Sequence, residues 1–167
     1  EIPIPETLQG VLMARIDRLQ EESKRVLQVA AVIGRIFPHR VLAALLEEEP
    51  HLDEHLILLQ REEMIRERAR LPELEYIFKH ELTREAAYDT LKKQERLVLH
   101  RQVAEAVERL FAQRIEENVQ VLAYHWERAA DMEKASHYLT RAGDRAAQLG
   151  ASLEAVHLYE LALQKAS

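Results

Sequence analysis

Apolar positions recur at helical spacing from the start of the chain. Leu8, Val11, Leu12, Ile16 and Leu19 share one face after Pro5, a residue favoured in a first helical turn, and predict an opening amphipathic helix. Val26, Leu27, Ala30 and Ile33 predict a second, ending near Gly34, whose tolerance of positive φ suits a helix C-terminus. Pro38 and Pro50 open a third and a fourth helix, running to about Leu46 and Glu63; the fourth carries a Leu52, Leu56, Leu59 stripe with His55 beside it. The period then changes to two. Leu74, Tyr76 and Phe78 alternate with Glu73, Glu75 and Ile77, preceded by Met64 to Arg68 across Ala69-Arg70-Leu71-Pro72, which predicts a two-stranded hairpin. Without an Asn-Gly or Gly-Gly pair, its loop does not fix the register. Helix returns with Thr83 as N-cap and Ala86, Ala87 and Leu91 on one face, and a long helix follows with Leu97, Val103, Val107 and Leu110.

From about Glu117 the helices turn Ala-rich, with Tyr124, Trp126, Tyr138 and Tyr159 among small residues, as expected of packing between stacked helical hairpins. Ala135-Ser136-His137-Tyr138-Leu139 echoes Ala155-Val156-His157-Leu158-Tyr159 at an offset of twenty, and Ala142 echoes Ala162. Tetratricopeptide units repeat every ~34 residues, and about three are needed to bury a solenoid's faces, so the last helix is expected to expose an apolar edge. Three helices and a hairpin outline a winged helix. The expected fold class is therefore mainly α: a winged-helix domain with one β-hairpin, followed by tetratricopeptide-like helical hairpins. The opening on Glu1, in an Ile-Pro-Ile-Pro segment, and the incomplete array lead us to expect a piece of a longer polypeptide.

Charge and composition narrow the function. Twenty-three basic against 29 acidic residues give a net charge of -6, which disfavours a nucleic-acid-coating surface. Cysteine is absent, which excludes disulfides and thiol catalysis. No apolar run approaches the ~20 residues that span a bilayer, and no basic-then-apolar leader opens the sequence, so a cytoplasmic protein without a membrane or nucleic-acid partner is expected.

Four functional readings can be set against these residues. His51-Leu52-Asp53-Glu54-His55 matches the H-x-x-E-H zinc pattern, in which two imidazoles one turn apart hold the metal and the glutamate activates water. A catalytic zinc needs a third ligand that no later residue identifies, and a solvated helix start carrying His51 is the simpler reading, so no metal site is expected. In the slot where a winged helix would read DNA, Glu47, Glu48, Glu49, Asp53, Glu54, Glu62 and Glu63 stand against the single Arg61, so a helix there would repel phosphate; Arg66, Arg68 and Arg70 on the hairpin read as solvated edge charges. The glycines Gly10, Gly34, Gly143 and Gly150 form no phosphate-cradling loop of the G-x-x-x-x-G-K-[ST] type, and Ser23, Ser136, Ser152 and Ser167 lie in no nucleophile elbow or recognisable base arrangement. The chain is not expected to be an enzyme by itself, and no catalytic residue is assigned.

The stretch Phe78-Lys79-His80-Glu81-Leu82-Thr83-Arg84-Glu85-Ala86-Ala87-Tyr88, with Ile4-Pro5-Glu6-Thr7-Leu8 and Val29-Ala30-Ala31-Val32-Ile33-Gly34 before it, resembles the bacterial STAND-type signalling ATPases. The resemblance covers essentially the whole chain and implies three parts: residues 1–20 as the end of the ATPase's helical lid, 21–92 as a winged-helix domain, and 93–167 as a connecting helix and the start of a tetratricopeptide-like array. Relatives of this kind carry a cyclase or DNA-binding output domain elsewhere. The resemblance also implies ADP or ATP with Mg in the parent protein, none of it held by this chain alone. The partners it implies are an upstream ATPase module of the same polypeptide and a protein ligand on the array. In the related apoptotic and plant-immunity ATPases, the histidine of a Met-His-Asp motif contacts the phosphate of ADP and holds the inactive state. Lys79-His80-Glu81 is similar in position, with Lys and Glu in place of Met and Asp, which makes His80 the nucleotide-sensing candidate. From the residues alone, an imidazole ahead of a helix start adds a donor where the helix dipole favours an anion, or makes a local hydrogen bond. The alternative is a helical protein-protein interaction scaffold without a nucleotide role.

Overall fold

The computed structural model describes residues 4–167; Glu1, Ile2 and Pro3, the start of the extended opening segment, lie outside the described residues. The chain is mainly helical with one small antiparallel sheet, and it divides into two units, Glu1–Lys93 and Gln94–Ser167.

In the first unit α1 (Ile4–Asp17) buries Leu12 and Ile16 and packs against α5 (Glu81–Asp89). Leu8 and Val11 remain exposed, so the opening stripe is narrower than the sequence pattern predicts. α2 (Glu21–Ile33) has Val26, Leu27, Ala30 and Ala31 buried, with α3 (His39–Leu45), α4 (Leu52–Arg61) and α5 packed against it. Gly34 ends α2 at φ 149°, a conformation that side chains rarely adopt. Leu52, Leu56 and Leu59 form the buried stripe of α4 as the spacing predicts. This helix closes with the paired bonds of a Schellman motif: the Met64 N–H reaches the Leu59 carbonyl at 3.1 Å and the Glu63 N–H the Gln60 carbonyl at 3.0 Å, with Glu63 at φ 63°.

The sheet has three strands. The expected hairpin is present as β2 (Ile65–Ala69) and β3 (Glu75–Phe78), with a register irregularity between Glu67 and Ala69. A further strand, β1 (Ile36–Pro38), pairs antiparallel with β3, Phe37 opposite Tyr76, giving the order β1-β3-β2. Three residues are too few to show a period of two, and Pro38, read as a helix opener, is also the last residue of this strand. The Phe37 ring stacks on Tyr76 at 5.8 Å between centroids and meets Phe78 at 5.5 Å. Thr83 is not the cap of α5. The helix starts two residues earlier, His80 occupies the N-cap position, and Thr83 is buried in the first turn.

The second unit holds α6 (Lys93–Leu110), a 3-10 segment (Ala112–Asn118), α7 (Val119–Arg128), α8 (Met132–Gln148) and α9 (Ser152–Ala166). The Asp131 carboxylate caps α8 by accepting from the Lys134 N–H at 3.0 Å. The echo at an offset of twenty is structural: Ala135, Tyr138 and Ala142 on α8 and Ala155, Leu158 and Ala162 on α9 are buried, and these two helices pack closely together. Trp126 and Tyr138 pack inside, but Tyr124 is 43% exposed beneath the Arg128 guanidinium, which lies 3.7 Å from its ring centroid. On α9, Leu153 and Leu163 are 88% and 70% exposed, with Val156 between them.

Gly143 is required by the approach of α9. A Cβ built there would lie 2.6 Å from Cε1 and 2.7 Å from Cδ1 of Tyr159. We expect Gly143→Ala to lower the stability of this unit by about 1–2 kcal/mol, the range for overpacking a tight contact. Tyr159→Leu in the same background should recover part of the loss in urea denaturation; no recovery would show that the ring is not the obstacle.

Candidate functional site

Where β3 ends, the Lys79 N–H donates to the Met64 carbonyl at 3.0 Å and closes the hairpin ladder. The chain then passes through His80 in an extended conformation, φ -133° and ψ 138°, into α5. The His80 carbonyl accepts the N–H groups of Thr83 at 3.1 Å and Arg84 at 3.4 Å, while no side chain caps the helix. The imidazole itself is exposed and makes no hydrogen bond among the described residues, so the local bond that the sequence left open is not made.

Three cationic side chains stand near this junction. Arg35, in the turn before β1, has Nε 3.4 Å from the Phe78 carbonyl oxygen and Nη2 3.4 Å from that of Lys79, so it spans the last two carbonyls before His80. No carboxylate pairs with Arg35 among the described residues. The Lys79 ammonium pairs with Glu63 and, chiefly through that hydrogen bond, holds its carboxyl below the usual range. Arg84 is clasped by Glu81 Oε2 at 2.6 and 2.9 Å and donates to the Ala31 carbonyl at 3.3 Å. The arrangement has one open helix N-terminus, one exposed imidazole and one guanidinium without a carboxylate. An anion bound there would take N–H donors from the helix and a donor from His80. These groups fit a phosphate; they include no set of ligands for a cation.

The H-x-x-E-H pattern does not assemble. His51 precedes α4 on the surface with Nδ1 3.4 Å from Glu54 Oε2. His55 points between helices: its Nδ1 is 2.8 Å from Ser23 Oγ and its Nε2 3.4 Å from Glu49 Oε1. Among the described residues no three His, Asp or Glu side chains gather where a metal could be held. The Ser23, His55, Glu49 chain is a serine-base-carboxylate arrangement that the sequence reading missed, because its members lie on separate elements. A carboxylate only accepts, so the neutral His55 carries its hydrogen on Nε2 and accepts the Ser23 hydroxyl at Nδ1. Ser23 is 0% exposed, and a nucleophile needs an open approach to its substrate, so this chain ties α2 to the α3-α4 connection.

Arg66, Arg68 and Arg70 are exposed on β2 and its loop; Arg68 pairs with Glu75 at 2.7 Å and Arg70 with Glu67 at 2.9 Å. Asp53 and Glu54 are exposed on α4. Among the described residues no helix is long and apolar enough to cross a membrane. Comparison of the chain with protein families, with curated proteins and with solved structures found no match.

Proposed function

We propose that this chain is a non-catalytic regulatory part of a multidomain signal-transduction ATPase of the STAND type, in which His80 favours the ADP-bound inactive state. The observation that carries this reading is the exposed His80 imidazole at the uncapped start of α5, with Arg35 beside it. A phosphate of the nucleotide would sit against the Glu81 and Leu82 amides and the His80 ring. The nucleotide supplies a terminal phosphate whose presence or loss changes the charge to be held; the protein supplies donors already in place. The order helix, short strand, two helices, hairpin, with the short strand on the hairpin's second strand, supports a winged helix in the first unit. Paired helices with an internal echo support a tetratricopeptide-like array in the second.

In this reading the array receives a protein ligand, and binding shifts the balance away from the ADP-held state. The exposed Leu153, Val156 and Leu163 favour such a ligand, and they are equally the observation that favours the scaffold alternative. Pyrophosphate titrated into the chain, followed by amide and imidazole NMR shifts, tests the anion site. Saturable shifts at His80, Glu81 and Leu82, weakened in Arg35→Ala, are expected. Shifts confined to other lysines and arginines would leave only the scaffold.

A further inference from the structure

α6 and α7 are joined by a contact that the regulatory reading does not use. His100 and His125 are each 1% exposed, and their Nδ1 atoms stand 2.9 Å apart, with ring centroids at 5.1 Å. A direct bond between two imidazole nitrogens needs one N–H and one lone pair. A neutral pair meets this with one ring protonated at Nδ1 and its neighbour at Nε2, and a singly protonated pair meets it with the imidazolium as donor. A doubly protonated pair does not, because two N–H groups would then oppose each other along the same line.

We propose that the His100-His125 pair is a proton-operated latch between α6 and α7, closed while the pair is neutral or carries one added proton and opened when both rings are protonated. On α7, the Tyr124 ring lies edge-on to both imidazoles, with centroids 6.1 Å from His100 and 5.0 Å from His125, and Arg128 covers that ring. Of the charged groups on these helices and on α8, Arg101 and Lys134 lie over the Trp126 ring, Glu108 accepts from its Nε1, Glu127 pairs with Lys165, and Arg141 pairs with Glu116. Whatever further charges approach the rings, the 2.9 Å line between the Nδ1 atoms admits one hydrogen. The unfolded chain has no such restriction and binds a proton on each ring below the ordinary histidine range near 6.5. It therefore takes up at least one proton more than the folded unit as the pH falls, and stability is lost in that direction.

Trp126 is the one tryptophan, so its fluorescence in urea reports on this unit in the full chain. The expected result is an unfolding constant about tenfold larger at pH 5.5 than at pH 7.5, the effect of one excess proton in the unfolded state. In His125→Asn the amide oxygen can accept from His100 in either protonation state, and the change should shrink to less than about twofold. His100→Asn is the reciprocal variant should the first not fold, and ring nitrogen shifts of wild type report the same point, one imidazole staying neutral at pH 5.5 while folded. A wild-type constant that does not change with pH, an equal change in the Asn variants, or two protonated rings in the folded protein would overturn the latch.

Discussion

Replacing Phe37 with alanine is expected to lower the stability of the first unit by about 4 kcal/mol, within the usual cost of removing a buried aromatic side chain. Phe37 has no exposure, and its ring stacks on Tyr76 and meets Phe78, so it joins a three-residue strand to the middle strand of the sheet. Deleting it removes the apolar area and leaves a cavity that β1 is too short to close by shifting. Phe37→Leu keeps most of the volume and should cost only about 1.5 kcal/mol. Hydrogen exchange at the amides of α2 and β3 in the full chain measures both. A loss below about 1 kcal/mol for the alanine variant would mean that β1 contributes little to the sheet.

The second large effect is expected at Glu108. Its Oε2 accepts from Trp126 Nε1 at 3.1 Å and from the Tyr138 hydroxyl at 2.6 Å, and the Lys134 ammonium stands 3.6 Å away. Glu108→Ala leaves a buried indole N–H and a buried phenol without this acceptor. Bonds to a charged group contribute about 1.5–3 kcal/mol each, so we expect a loss of about 3 kcal/mol, less for Glu108→Gln, whose amide oxygen still accepts. Urea denaturation followed at Trp126 reports it. The same carboxylate acts on Tyr138: burial first, then the hydrogen bond and charge of Glu108, push its phenol above the usual value of 10. The neutral phenol is therefore the form favoured in the fold. Stability from this contact is complete below pH 10 and fades as the pH rises past the unfolded tyrosine value, and Tyr138→Phe should flatten that alkaline limb.

Much of the architecture is legible in the residue pattern, and the misses have physical causes. The α4 stripe and the hairpin follow from periods of 3.6 and 2, since each is long enough to display its repeat. β1 is not, and its pairing with β3 bridges some 40 residues of sequence. Thr83 has the chemistry of a cap, but the start of α5 is set where the hairpin ladder ends, two residues earlier. His80 was reached through a family resemblance, whereas Arg35 beside it comes from a turn that no motif marks. His100 falls on the same face as Val103 and Val107, and His125 beside Leu122 and Trp126, so burial of each was readable. Their pairing was not, because nothing local connects positions on two helices.

The most direct test of the regulatory account is the nucleotide content of the protein extended upstream of Glu1, purified without added nucleotide, denatured and assayed for ADP, with wild type and His80→Ala side by side. The account predicts ADP retained by the wild type and several-fold less in the variant. No ADP in either protein, or equal ADP in both, would contradict it and leave a helical scaffold as the better description.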